Sequence, residues 1–94
     1  MIAGGHSAPL TDADGLSRIS GFKTIIEAHS GSTYATFEPI SYTQQVVAGM
    51  NYKSKIRVGD GAYIHVKVHV PLPHTGNPPH VMEFSSGHHE ADHY

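Results

Sequence analysis

On both sides of Gly59-Asp60-Gly61 the chain alternates apolar and polar residues with period two, and few folds accommodate that pattern. After the turn, Ile64, Val66, Val68 and Val70 fall on one side and Tyr63, His65, Lys67 and His69 on the other. Before it, Tyr52, Ser54, Ile56 and Val58 alternate with Lys53, Lys55 and Arg57. Such alternation belongs to a strand buried on one face only, and a Gly-Asp-Gly link between two of them marks an antiparallel hairpin. Thr36 to Gln44 reads as a preceding strand, with Pro39 marking a bulge or an edge. Pro71 to Pro79 is a second connection, and Val81 to Phe84 reads as a last strand.

The sheet needs a cover for its apolar face, and Thr11 to about Ala28 is the one segment with helical periodicity. Leu16, Ile19, Phe22 and Ile26 form a single apolar stripe. Thr11 and Asp14 resemble a capping box, and His29-Ser30-Gly31-Ser32 ends the helix. Gly15, Ser17, Ser20 and Gly21 weaken it, so packing must hold it in place. One helix followed by hairpin-linked strands gives an α+β fold, an antiparallel β-sheet wrapped around one α-helix. Residues 1–10 read as a flexible arm with a short edge strand.

Ninety-four residues with 38% hydrophobic content fit one domain spanning 1–94. A chain of this size buries only about 60–65% of the surface it exposes when unfolded. Absence of cysteine excludes disulfides, thiolate zinc sites and a cysteine nucleophile. Met1 to His6 lacks the basic and apolar regions of a signal peptide, and no run is long enough to span a membrane, so a cytoplasmic protein without membrane contact is expected. A net charge of −2 with scattered Lys and Arg argues against nucleic acid. Protonating all nine His would carry that charge to +7, although the plain reading is of mostly solvated surface histidines.

Gln45-Val46-Val47-Ala48-Gly49 stands where the first hairpin should turn, yet it is uncharged and mostly apolar. Hairpin tips favour Asn, Asp, Ser and Gly, and exposed apolar surface invites association. The stretch is therefore either folded inward, exchanged between strands of two copies, or kept for a partner. In an up-and-down meander, alternate connections fall at the same end of the sheet. The Gln45–Gly49 tip and Leu72-Pro73-His74 should thus project side by side as a ridge.

These residues, with Asn51-Tyr52 following the tip and Met1-Ile2-Ala3-Gly4-Gly5 at the N-terminus, resemble the stefins, the type 1 cystatins that lack disulfides. The similarity runs through nearly the whole chain, including the Gly59-Asp60 turn and the Tyr63–Val70 strand. It implies a reversible, tight-binding inhibitor of papain-like (cathepsin-type) cysteine proteases that fills the active-site cleft and has no catalysis or cofactor of its own. Carried over by position, Gly4 would let the N-terminal trunk bend along the non-primed subsites. Gln45, Val46, Val47, Ala48 and Gly49 would cover the catalytic centre, while Leu72, Pro73 and His74 would brace the primed side. The competing reading is a cystatin-fold binding or scaffold module whose apolar tip serves self-association or a non-protease partner. A monomer is expected, with a domain-swapped dimer as the alternative state.

His89-Glu90-Ala91-Asp92-His93 matches the zincin pattern H-E-x-x-H. That chemistry needs a stable helix, a third ligand and a cleft. One residue follows His93 and no amphipathic pattern surrounds the motif, so no catalytic metal is expected there. Incidental metal binding by His88, His89 and His93 is the most this tail supports. No nucleophile elbow or Gly-rich phosphate loop occurs elsewhere.

Overall fold

Helix formation begins at Asp12, whose carboxylate accepts a hydrogen bond from the backbone N–H of Gly15 at 2.9 Å. The capping box expected from Thr11 and Asp14 is therefore displaced. The cause lies across the fold: the Tyr42 hydroxyl donates to the other Asp12 carboxylate oxygen at 2.6 Å and fixes Asp12 as the cap. Gly15 makes this reach feasible, because a Cβ there would overlap the Tyr42 hydroxyl and ring. Its cost in helix propensity, about 1 kcal/mol relative to Ala, is the counterpart of that contact.

The structure, a computed structural model, describes residues 9–88. Helices α1 (Ala13–Ser20) and α2 (Lys23–Ser30) occupy the segment read as one helix. Between them the N–H of Gly21 bonds to the carbonyls of Ser17 and Arg18, and that of Phe22 to Ile19 at 2.9 Å. This three-residue spacing tightens one turn without reversing the chain. The apolar stripe survives it: Ile19, Phe22 and Ile26 are buried and Leu16 packs beside them. As expected, the segment stops at Gly31, left-handed at φ 73°, whose N–H bonds to the Glu27 carbonyl.

Four strands follow, β1 (Glu38–Val47), β2 (Gly49–Gly59), β3 (Ala62–Val70) and β4 (His80–His88). They form one antiparallel sheet in the order β1-β2-β3-β4, so the α+β meander expected from the sequence is the observed architecture. The register shifts between Pro39 and Ser41, which places the anticipated bulge at the proline. Leu10 bridges Tyr42 on the free edge of β1, with N–H to carbonyl bonds of 2.7 and 3.1 Å. The helices lie on the apolar face, where Ile19, Phe22 and Ile26 meet Tyr42, Tyr52, Ile56, Ile64, Val66 and Val68. Tyr52 is the hub of an aromatic cluster, with the Phe22 and Tyr42 ring centres 6.1 and 6.2 Å away. Among the described residues, no helix is long and apolar enough to cross a membrane.

The opposite face corrects the sequence reading. Tyr63 and His65, assigned to the solvated side, are 7% and 2% exposed. The reason is that β4 continues past Phe84 to His88, through Ser85-Ser86-Gly87, which has little strand propensity of its own. Pairing with β3 supplies the missing preference and lays the His88 ring on His65, centres 3.7 Å apart. Lys55 covers Tyr63 in the same way, its ammonium 5.0 Å from the ring centre. At His65, then, the plain reading of solvated histidines fails.

Candidate functional site

The first hairpin is tighter than a five-residue tip. Strands β1 and β2 stay paired through Gln45↔Asn51, Val46↔Met50 and Val47↔Gly49, which leaves Ala48 alone at the apex. Strand alternation places Val46 on the helix-side face, in line with Met50 and Val70, and Gln45 and Val47 on the outer face. Val46 is 70% exposed and Val47 38%. The apolar residues are thus presented by a hydrogen-bonded ladder rather than by a slack loop.

Gly49 joins this apex to the second connection. It is buried at φ 110°, and a Cβ would overlap the Val70 carbonyl oxygen, with Pro71 Cα at 3.1 Å and Leu72 N at 3.2 Å. Only a residue without a side chain lets the two backbones approach so closely. The ridge anticipated from hairpin order is therefore present, and Gly49 is the hinge-point of its two halves.

In the second half Leu72 is 39% exposed, and Pro73 and His74 are exposed as well. Pro73–Thr75 forms a 3₁₀ turn. The Leu72 carbonyl accepts from the Thr75 backbone N–H at 3.1 Å and from its hydroxyl at 2.7 Å, so the loop braces itself. Between the halves lies a depression of about 500 Å³ with Ala48, Leu72, His69 and His80 among its lining residues.

Beneath the ridge, one register row crosses all four strands: Gln45, Asn51, His69 and His80. Asn51 Nδ2 donates to Gln45 Oε1 at 2.9 Å, and Asn51 Oδ1 meets His69 Nδ1 at 2.6 Å. Asn51 is 7% exposed, a buried amide whose hydrogen bonds hold the base of the hairpin. Sequence reasoning missed Asn51 as the partner of Gln45 and His69 as the partner of Asn51. The signal was there: Gln45 and Asn51 stand symmetrically about Ala48, so locating the apex gives the pairing.

Of the candidate residues, Gln45, Val46, Val47, Ala48, Gly49, Leu72, Pro73 and His74 all lie at this end of the sheet. Gly4 lies outside the described residues, as does the His89–His93 motif. Among the described residues, no group of three or more His, Asp or Glu converges as a metal site. The clearest ionisation shift is remote from the ridge. The Tyr42 hydrogen bond, followed by that from Gly15, holds the Asp12 carboxyl below its usual range, and the same Asp12 contact raises Tyr42.

Residues 26–84, from α2 through both halves of the ridge to β4, match the family model of the cystatin domain. The chain belongs to the cystatin family. This cystatin is 39% identical over 79 residues to leukocyte cysteine proteinase inhibitor 1 of Sus scrofa, covering 83% of the chain and 77% of that relative. It is 39% identical over 74 residues to cystatin-A of Homo sapiens, covering 78% and 76%. Against cystatin-B of Oplegnathus fasciatus the identity is 39% over 74 residues, covering 78% and 74%. Its likeness to cystatins A and B makes it a stefin-like, type 1 cystatin, in agreement with the resemblance read from the sequence. Membership implies protease-inhibitory function, and a cystatin is not an enzyme.

Proposed function

We propose that this cystatin is a reversible, tight-binding inhibitor of papain-like cysteine proteases that occludes the active-site cleft with its ridge. The observation carrying this reading is the union of two exposed apolar loops at Gly49, where the apex rests on the Val70–Leu72 backbone. Preformed loops lose little conformational freedom on binding, so the gain from burial is retained as affinity. Fully burying a valine contributes about 1.5–3 kcal/mol, and Val46, 70% exposed, has most of that still to gain. The hairpin reverses direction at Ala48 within a paired ladder. It therefore offers the protease no extended segment to cleave, and the complex is a blockade rather than a substrate encounter. Gly4 would carry the N-terminal trunk along the remaining part of the cleft, and the inhibitor works as a monomer in the cytoplasm.

Inhibition of papain by the wild type, Val46→Asp and Leu72→Asp tests this directly. Both positions are exposed, so circular dichroism should show the fold unchanged. An unpaired charge pressed into an apolar cleft costs several kcal/mol, so Val46→Asp should raise the inhibition constant at least ~100-fold. Leu72→Asp should raise it at least ~10-fold. Wild-type inhibition by both variants would refute the ridge as the contact surface.

A further inference from the structure

We infer that His69 and His80 form a binding site for a divalent transition-metal ion of the zinc type, set in the depression between the two halves of the ridge. The inference is independent of the inhibitory reading. His69 on β3 and His80 on β4 are direct cross-strand partners, their ring centres 5.3 Å apart with planes inclined at 57°. Two imidazoles on one tetrahedral zinc, with bonds of about 2.0 Å, have ring centres about 5 Å apart. Both residues line the depression of about 500 Å³, which leaves room for water to complete the coordination.

The surroundings prepare His69 as a ligand. Because Asn51 Nδ2 donates to Gln45 Oε1, Asn51 Oδ1 is an acceptor, and His69 Nδ1 must be the donor to it. That bond fixes the tautomer and leaves the lone pair on Nε2. Metal-ligating histidines are oriented in this way, one ring nitrogen donating to a carbonyl while the other binds the ion. Zn²⁺ and Cu²⁺ both favour imidazole, and with two protein ligands the remaining positions fall to water. The next charge along β3, Lys67, is offset by its ion pair with Glu83 at 3.7 Å, while Lys53 faces Lys67 from β2. A bound ion would tie β3 to β4 directly beneath the Leu72 loop.

The test is a Zn²⁺ titration of the full chain followed by imidazole NMR and calorimetry. Wild-type protein is compared with His80→Gln, His69→Gln, Asn51→Ala and the tail variant His89→Gln/His93→Gln. The first ion taken up should perturb the His69 and His80 ring signals together. His80→Gln, an exposed change that leaves the fold intact, should weaken that step at least ~10-fold, as should His69→Gln. Loss of the outer-shell carbonyl in Asn51→Ala should weaken it about 10–100-fold without removing a ligand. The tail variant should leave it unchanged. Uptake that spares the His69 and His80 signals, or that persists undiminished in His80→Gln, would overturn the assignment.

Discussion

Replacing Gly49 by alanine should damage the ridge through two separable effects. The first is conformational: φ 110° is unfavourable for any residue with a Cβ, at about 1–2 kcal/mol. The second is steric, because the new methyl would overlap the Val70 carbonyl oxygen and crowd Pro71 and Leu72. Those are backbone atoms and cannot rotate away, so the apex must lift from the second loop, and forced packing of this kind costs about 1–3 kcal/mol more. Gly31→Ala is the control, since Gly31 also has positive φ but nothing lies within 4 Å of where a Cβ would sit. Thermal unfolding should show Gly49→Ala losing more than Gly31→Ala by roughly 5–20 °C, taking about 4–8 °C per kcal/mol for a domain of this size. Papain inhibition should fall further in Gly49→Ala than in Gly31→Ala, because only the former separates the halves of the ridge. Equal melting temperatures for the two variants would refute the close approach at Gly49.

Tyr42→Phe removes the bond that holds the Asp12 carboxyl low. The stabilisation from that bond is present in full above the usual value of 3.8 and is lost as pH falls through the lower folded value. The gap in melting temperature between wild type and Tyr42→Phe should therefore be widest near neutral pH and narrow in acid, and a constant gap would contradict the linkage. Val46→Ala should weaken papain binding about twice as much as Val47→Ala, following exposures of 70% and 38%, as read from inhibition constants. Ser54 is 1% exposed and its hydroxyl has no hydrogen-bond partner among the described residues. Ser54→Ala should thus leave unfolding free energy unchanged or raise it by about 1 kcal/mol in urea denaturation, since an unsatisfied buried hydroxyl is removed.

The parts of this fold that were legible in the sequence are those whose burial repeats with a fixed period. Ile64, Val66 and Val68 on β3 and Ile19, Phe22 and Ile26 on the helices all lie where their spacing places them. Pro39 marked its bulge and Gly31 its helix end for local stereochemical reasons. What was not legible depends on residues distant in sequence. Asp12 becomes the helix cap because Tyr42 reaches it, and His65 is buried because β4 extends to His88. The apolar character of Gln45–Gly49 was visible at once. Its rigidity was not, because pairing up to Val47↔Gly49 and the contact of Gly49 with Val70 are consequences of tertiary packing. The Asn51–His69 bond is hidden from the sequence for a similar reason, as it joins residues on neighbouring strands whose register the sequence leaves open.

Cleft occlusion by a preformed ridge is tested most directly by titrating papain, its active-site thiol intact, with the full chain while following hydrolysis of a fluorogenic peptide. The account predicts loss of activity at a one-to-one ratio, competitive with the peptide and reversed on dilution or displacement, with the inhibitor recovered uncut. Full papain activity in the presence of excess folded monomer, or recovery of an inhibitor cleaved at the Val46–Gly49 apex, would contradict it.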